Sequence, residues 1–505
     1  MTFQVPAQPV SSEQILLHTV TPSSQIWLLS TSQVWGLIVL TLHLAAPQLP
    51  EAIAWSVWPY TLFPAWVRWT LALLAATLVI APVNDALTKC FTTLIKLTPL
   101  APPEEGEKTS ILPFEGLGGL KSWFVAAALL AGLIFWLARL RHLRWGDSYM
   151  LSVALSYPDL ELRVIYNWQA PLTVFLHQRL WQFVAQPLLG WSVETVYATI
   201  SILCGIIFVY VLLSFTARLG RSPLEAVVLA GFVLTTGSIQ LFFGYVENYT
   251  IISLGLLVTL FLAWRTLQGE LEPLWPVVGL SLTNAFHPST VFLWPGMVLL
   301  VWLCQRRGYI STGKAWAQLV IPPLLIGGGV FALMESGGHG LSAFLGVDRP
   351  GGGDGLWFVP LFETTTRWQH YTMFSVAHIL DWSNLHLLIS PFGLPIILTA
   401  LLATHRFGLT LFTRETDRDY ALFLGVTSAM YLLLTWLWNP DYGGQKDWDL
   451  FAPAAFVYTL FAGYLWIHLL SDKTKLRRGS LFVLAVSLIH TGAWIFTNTL
   501  SLPRE

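Results

Sequence analysis

The chain has 505 residues, 55% of them hydrophobic and only 11% charged, with a formal net charge of -1 at pH 7. No Lys/Arg-rich block exceeds what short cytoplasmic loops carry, which excludes nucleic acid as a partner, and recurrent apolar runs of roughly 17–25 residues exclude a soluble globular protein. The three cysteines, Cys90, Cys204 and Cys304, lack metal-ligand spacing and imply no disulfide framework.

The first 25 residues contain neither Lys nor Arg, so the first apolar run is expected to be a retained span, not a cleaved signal. In chain order the runs fall near 26–46, 61–82, 122–139, 193–215, 224–243, 249–266, 275–305, 316–334, 386–404, 419–437, 451–470 and 480–499. The run 275–305 is too long for one span and carries Phe286-His287-Pro288 near its middle. Proline breaks the helical hydrogen-bond ladder and disfavours a helical residue before it, so two helices joined at a tight break are expected. The fold class is therefore all-α and polytopic, with about thirteen membrane helices.

Basic residues in short loops orient these spans. One set of alternate loops holds Lys89, Lys96 and Lys108, then Arg218 and Arg221, Arg265, Arg306 with Arg307 and Lys314, Arg406 with Arg414 and Arg418, and Lys473 through Arg478. These loops are expected in the cytoplasm. The other set faces outward: segments 140–192 and 335–385, the loop around Glu247, the His287 break and the loop 438–450. Arg139, Arg141 and Arg144 run against the rule on that outward side, which points either to an anionic ligand such as a lipid phosphate or to headgroup contacts by snorkelling side chains.

Within segment 140–192, Trp181-Gln182-Phe183-Val184 and its neighbours read as an amphipathic interfacial helix. Segment 335–385 opens with glycine runs at 337–340 and 351–355, suited to a lid or a solvated connector, and continues as a short helix expected near 371–383. Residues 83–121, with Pro102-Pro103-Glu104-Glu105, read as a cytoplasmic linker. The expected division is an N-terminal membrane hairpin and linker over 1–115 and a transmembrane core over 116–505. No internal repeat or inverted pair of halves is visible, which disfavours a secondary transporter.

The acids stand out against this background. Asp147, Glu247, Asp447 and Asp449 all sit at the outward ends of apolar spans, and acids near a bilayer core are costly unless they face a cavity or a partner. Three of them also have a plainer reading: Asp147 as a helix-end partner of Arg144, Glu247 satisfying the neighbouring helix end, Asp449 capping a helix N-terminus.

Three patterns carry a resemblance. Arg144-Trp145-Gly146-Asp147-Ser148 follows the third span and is succeeded by Asn167-Trp168-Gln169-Ala170-Pro171-Leu172; Phe243 through Tyr249 holds Glu247 and Asn248; Gly279-Leu280-Ser281 leads to His287-Pro288. Their order resembles the GT-C superfamily of polytopic glycosyltransferases, most of all the protein O-mannosyltransferase and aminoarabinose transferase-like group, over about 116–505. The break that often carries a Lys in that family carries His287 here, the Pro-Leu segment lacks the His that often precedes it, and the two leading spans depart from the commonest layout.

The resemblance implies a GT-C-like core with outward-facing interfacial helices in a multi-pass membrane protein, in the plasma membrane if the source is prokaryotic. It implies transfer of a sugar from a polyprenyl-phosphate or polyprenyl-diphosphate carrier to a glycolipid, glycan or protein on the extracytoplasmic face, among membrane lipids. In that reading Asp147 is the general base on the acceptor hydroxyl, Glu247 orients the acceptor or a basic residue, and Arg144, Asn167, Gln169 and Asn248 contact substrate. His287 and Lys446 balance the leaving phosphate, unless His287 only satisfies backbone at the break and Lys446 is a solvated loop residue. Asp447, Trp448 and Asp449 recognise the sugar, with coordination of Mg²⁺ or Mn²⁺ by the Asp-x-Asp pair as the lesser alternative. No cofactor is firmly implied. An oligosaccharide ligase or polymerase of the same fold and a transporter or lipid flippase are the competing functions.

Overall fold

The structure is a computed structural model and describes residues 20–97, 122–346 and 356–502, with side chains left out for 90–97. Lys108, the stretch 102–105 and the glycine run 351–355 lie outside the described residues, as do the side chains of Cys90 and Lys96.

Among the described residues the regular secondary structure is helical, apart from one antiparallel bridge between Phe358 and Trp438. The α-helices of eight residues or more are α1 (Pro22–Ala45), α2 (Ala65–Thr77), α3 (Ala81–Leu97), α4 (Ser122–Leu137), α5 (Ser148–Leu155) and α6 (Pro171–Leu180). They continue as α7 (Val193–Leu219), α8 (Pro223–Leu234), α9 (Thr250–Leu267), α10 (Leu274–Phe286), α11 (Trp294–Arg306) and α12 (Thr312–Ser336). The last five are α13 (Val376–Ile389), α14 (Gly393–Phe407), α15 (Glu415–Leu437), α16 (Trp448–Leu469) and α17 (Lys473–Asn498).

Eight helices among the described residues are long and apolar enough to cross a bilayer, and up to ten if each of two bent pairs is one span. Three shorter apolar helices, α4, α8 and α10, occupy further predicted runs. The chain is an all-α, polytopic membrane protein. Several runs are not the straight spans expected of them. The run 61–82 is broken into α2 and α3, bent by 88°, and α13 meets α14 at 99° across Ser390-Pro391-Phe392. The helix expected at 371–383 is α13, displaced toward the C-terminus, and the run 224–243 ends as α-helix at Leu234 and finishes in a 3₁₀ turn, Gly237–Phe242. Proline ends the helical ladder at 391, and the Pro391 carbonyl takes the indole N–H of Trp35 at 2.7 Å. The break at His287 is as its proline predicts, with His287 extended at φ -155°.

Helix α16 is the centre of the molecule. It is apolar on every side, and 94% of its membrane window is buried, the signature of a helix enclosed by other helices. It packs on α8, α14 and α15, and Phe456 meets Phe208 at 4.8 Å between ring centroids. Because α16 is enclosed along its length, its first turn, with Trp448 and Asp449, opens inside the protein. The N-terminal α1 lies against α17 and α14, with His43 and His490 hydrogen-bonded at 2.9 Å.

Candidate active site

The site is assembled by loops that converge on the start of α16. Gly146, just before α5, has φ +51° and donates its N–H to the carbonyl of Lys446 at 2.8 Å. A β-carbon there would lie 2.5 Å from Oδ2 of Asp449 and 2.8 Å from Oε1 of Glu247. Glycine is thus required twice, for a left-handed backbone and for the approach of two carboxylates. The next residue, Asp147, donates its backbone N–H to Oε1 of Glu247, whose other oxygen accepts the N–H of Asn248 at 2.9 Å. Asp449 accepts from the Tyr245 hydroxyl at 3.1 Å and from the Leu450 N–H at 3.0 Å, and Asp447 accepts from the Tyr442 N–H at 2.7 Å. Asp447 occupies the N-cap position of α16 but makes no side-chain cap. Asp449 lies in the first turn of α16, where one oxygen takes the Leu450 N–H, as a helix-terminus role requires, and the other takes the Tyr245 hydroxyl.

Asp147, Glu247, Asp447 and Asp449 line one cavity of about 580 Å³, joined by Asp441, Gln169 and His287. No Lys or Arg lines it among the described residues. Burial and mutual repulsion of like charges therefore disfavour ionisation. Burial raises the Asp147 carboxyl, opposed by its hydrogen bond with Tyr442. Burial, then the charges of Asp449 and Asp147, hold Glu247 well above the usual carboxylate range, and burial with Asp449 does the same to Asp447. These acids titrate as a set.

Aromatic rings line the same cavity. Trp357 and Trp438 stack at 6.5 Å with rings 13° apart, and Trp368 meets Tyr442 edge-on at 5.9 Å. All four line the cavity. Backbone pairing holds this wall in register, with Val359 N–H on the Leu437 carbonyl at 2.8 Å and Asn439 N–H on the Trp357 carbonyl at 3.0 Å.

A second group of bonds braces the acid-bearing loop from behind. Asp381 on α13 accepts the Trp55 indole N–H at 2.8 Å, the Tyr371 hydroxyl at 2.8 Å and the Gly444 N–H at 3.0 Å. Gln445 donates to Glu51 at 2.6 Å, and Ser56 donates to Asn384 at 2.7 Å. Residues 51–56, in the N-terminal region that departs from the resembled layout, thus form part of the site's support.

The remaining expected site residues divide. Gln169 and His287 line the cavity, and Asn167 accepts the Gln169 N–H at 2.6 Å, an Asx turn that sets its direction. Burial pushes His287 down to about 3, and its Nδ1 accepts from the Ser289 N–H at 3.2 Å, so the ring is a neutral Nε2–H donor. Trp448 is fully buried, edge-on to Tyr245 and Trp494 at 5.4 Å each, and does not line the cavity. It packs beneath the acids, so sugar stacking is not open to it. Lys446 lends its backbone carbonyl to Gly146, but does not line the cavity. Asn248 is buried beside Glu247 and Arg144 lies over Trp58 and Trp145 at 5.4 and 5.2 Å, both away from the cavity wall.

Sequence reasoning missed Tyr249, Trp357, Trp368, Trp438, Asn439 and Asp381. Trp438, Asn439 and Asp441 adjoin the Lys446–Asp449 motif, a signal in plain view, whereas nothing local ties Trp357 or Trp368 to it.

Beside this cavity lies a smaller one of about 290 Å³, lined by Trp136, Arg139, Arg141, His142, Glu194 and Thr195 among others. The loops 139–147 and 244–249 supply residues to both cavities: Arg139 to Leu143, Gly244 and Val246 to the smaller, Gly146, Asp147, Glu247 and Tyr249 to the larger.

No family model matches the sequence, and no curated protein matches it. Among solved structures, the crystal structure of ArnT from Cupriavidus metallidurans bound to undecaprenyl phosphate is similar, with 11% sequence identity and a TM-score of 0.48 over 75% of this chain and 77% of that one.

Proposed function

We propose that this chain is a membrane glycosyltransferase of the GT-C type, moving a sugar from a polyprenyl-phosphate or polyprenyl-diphosphate carrier to an acceptor on the extracytoplasmic face. The observation that carries the reading is the convergence of Asp147, Glu247, Asp447 and Asp449 on one cavity with a tryptophan wall. Carboxylates hydrogen-bond sugar hydroxyls, and indole faces pack on the C–H faces of a pyranose or furanose ring.

The chemistry follows from these groups. Asp147 accepts the proton of the acceptor hydroxyl as its oxygen bonds to the anomeric carbon; the bond from that carbon to the phosphate oxygen breaks, and the phosphate leaves with the electron pair. Glu247, held on the Asp147 N–H, fixes the base in line, and Asp447, Asp449 and Gln169 hold the sugar. Among the described residues, the acid cavity offers the leaving phosphate neutral donors such as His287 Nε2–H and no Lys or Arg. Arg139 and Arg141 in the adjoining cavity supply the cations for it. Asp447 and Asp449 are read as holding the sugar, with coordination of a divalent ion by the pair as the lesser alternative.

A cation carrier is the rival reading, favoured by the acids without Lys or Arg in the large cavity. Against it, Asp147, Glu247 and Asp449 sit at helix beginnings, whereas alternating-access sites lie near the bilayer midplane between repeats. The test is mass spectrometry of co-purifying lipid, followed by transfer from a radiolabelled polyprenyl-phosphate sugar in proteoliposomes. Asp147→Asn is expected to abolish transfer while lipid co-purification persists. Wild-type transfer by that variant would remove Asp147 from the mechanism, and cation flux without any lipid-linked sugar would favour the carrier.

A further inference from the structure

A basic cavity lies at the far end of two helices that also build the acid site. Helix α15 ends beside Trp438 on the wall of the acid cavity, and it begins at Glu415, which lines a cavity of about 620 Å³ with Arg306, Arg307, Tyr309, Arg414 and Thr416. Its 23 residues make a rod about 35 Å long, enough to cross a bilayer core of about 30 Å. Helix α11 repeats the pattern, with Phe292 just before it in the acid cavity and Arg306 at its end in the basic one.

The charges there are only partly balanced within the protein: Arg306, Arg307, Arg414 and Arg418 stand among Glu415, Asp417 and Asp419, and Arg414 acts through space on Asp417. Asp419, nearly buried, takes Arg307 at 2.6 Å, and Glu415 takes Arg418 at 3.3 Å. Arg306 and Arg414 make no ion pair among the described residues, and both are exposed. The Arg306 guanidinium lies 5.6 Å over the ring of Trp302, which is 48% exposed, and Tyr309 is 47% exposed. The adjoining face of α12 turns Trp316, Ile321, Leu324 and Leu325 outward. Arginines with half-exposed Trp and Tyr, next to an exposed apolar helix face, mark headgroup depth in a bilayer, not an aqueous surface. Basic pockets between membrane helices on the cytoplasmic side suit anionic headgroups.

We infer that this cavity binds the phosphate headgroup of an anionic membrane lipid in the leaflet opposite the acid site, with Arg306 and Arg414 on the phosphate, Arg307 held in place by Asp419, and the acyl chains along α12. The lipid bridges the end of α11 to the start of α15, two helices that position the walls of the acid cavity.

Native mass spectrometry of the detergent-solubilised full chain, titrated with phosphatidylglycerol, phosphatidylcholine or inorganic phosphate, tests this. Phosphatidylglycerol is expected to bind the wild type roughly thirty-fold more tightly than the Arg306→Gln/Arg414→Gln variant, and its binding weakens with added salt. The Arg306→Lys/Arg414→Lys variant is expected to keep most of the affinity, which separates lost charge from lost folding. If the double glutamine variant does not fold, each single glutamine variant is expected to lose about five-fold. Equal binding of phosphatidylcholine, unchanged affinity in the glutamine variants, or displacement of the lipid by millimolar inorganic phosphate would each overturn the assignment, the last in favour of a soluble anion.

Discussion

Gly146 gives its N–H to the carbonyl of Lys446 at 2.8 Å, and this bond joins the loop ending in Asp147 to the loop ending in Asp447 and Asp449. The two loops lie 300 residues apart in the chain, and this backbone contact is one of the bonds that tie the two halves of the acid cluster together.

Gly146→Ala is expected to cost stability and activity together. A left-handed backbone costs a non-glycine residue about 1–2 kcal/mol, and the added methyl group meets the carboxylates of Asp449 and Glu247. Thermal unfolding in detergent should fall by several degrees and transfer by tenfold or more. Wild-type transfer in this variant would show that the close approach of the acids is not needed.

The raised carboxyls make two opposite pH dependences. The folded chain keeps protons on Asp147, Glu247 and Asp447 at a pH where the unfolded chain has released them, so stability falls as pH rises from the ordinary carboxylate range through the raised folded values. Transfer moves the other way, because Asp147 accepts a proton only when ionised. Its acid limb should therefore lie above the usual carboxylate range. Tyr442→Phe removes the hydrogen bond that holds Asp147 down, and should move that limb to higher pH in a profile of kcat/KM. A limb that stays put or moves down contradicts the assignment of Asp147.

Chelation separates sugar recognition from metal binding at Asp447 and Asp449. Chelator is expected to leave transfer unchanged, while Asp449→Asn loses a hydrogen bond to a charged group and about ten- to a hundred-fold in kcat/KM. Transfer lost on chelation and restored by Mg²⁺ or Mn²⁺ would reverse that conclusion.

Asp381 should act on the site without touching substrate. Asp381→Ala strands the Trp55 indole, the Tyr371 hydroxyl and the Gly444 N–H, each an interaction with a carboxylate of about 1.5–3 kcal/mol. The loop 441–447 then loses its support, so kcat should drop while carrier-lipid binding is kept. Asp381→Asn retains one acceptor oxygen and should recover part of the rate. Equal losses of kcat and lipid binding would point to general unfolding instead.

Accessibility fixes which face the acid cavity opens to. On a background without the native cysteines, Gln445→Cys should react with a membrane-impermeant maleimide from outside intact cells, and Lys473→Cys should not. The reverse pattern would move the chemistry to the cytoplasm.

Sequence alone determined the class of the protein and where its acids would be found along the chain. A bilayer core demands a fixed length of apolar helix, and Pro288 breaks the hydrogen-bond ladder wherever it stands, so the spans and the His287 break follow from residues a few positions apart. The bends at 78–80 and 390–392 were less legible, because an apolar run reads alike whether the helix crosses the membrane or turns within it. Only the tertiary structure decided which side chains face the cavity. Trp448 adjoins two acids in sequence, yet the enclosure of α16 turns it into the core, and the stacking surface comes instead from Trp357, Trp368 and Trp438. Burial lowers His287 and raises the acids for the same reason: desolvation depends on everything packed around a group, and for Glu247 those neighbours include Asp147 and Asp449, a hundred residues or more away in the chain.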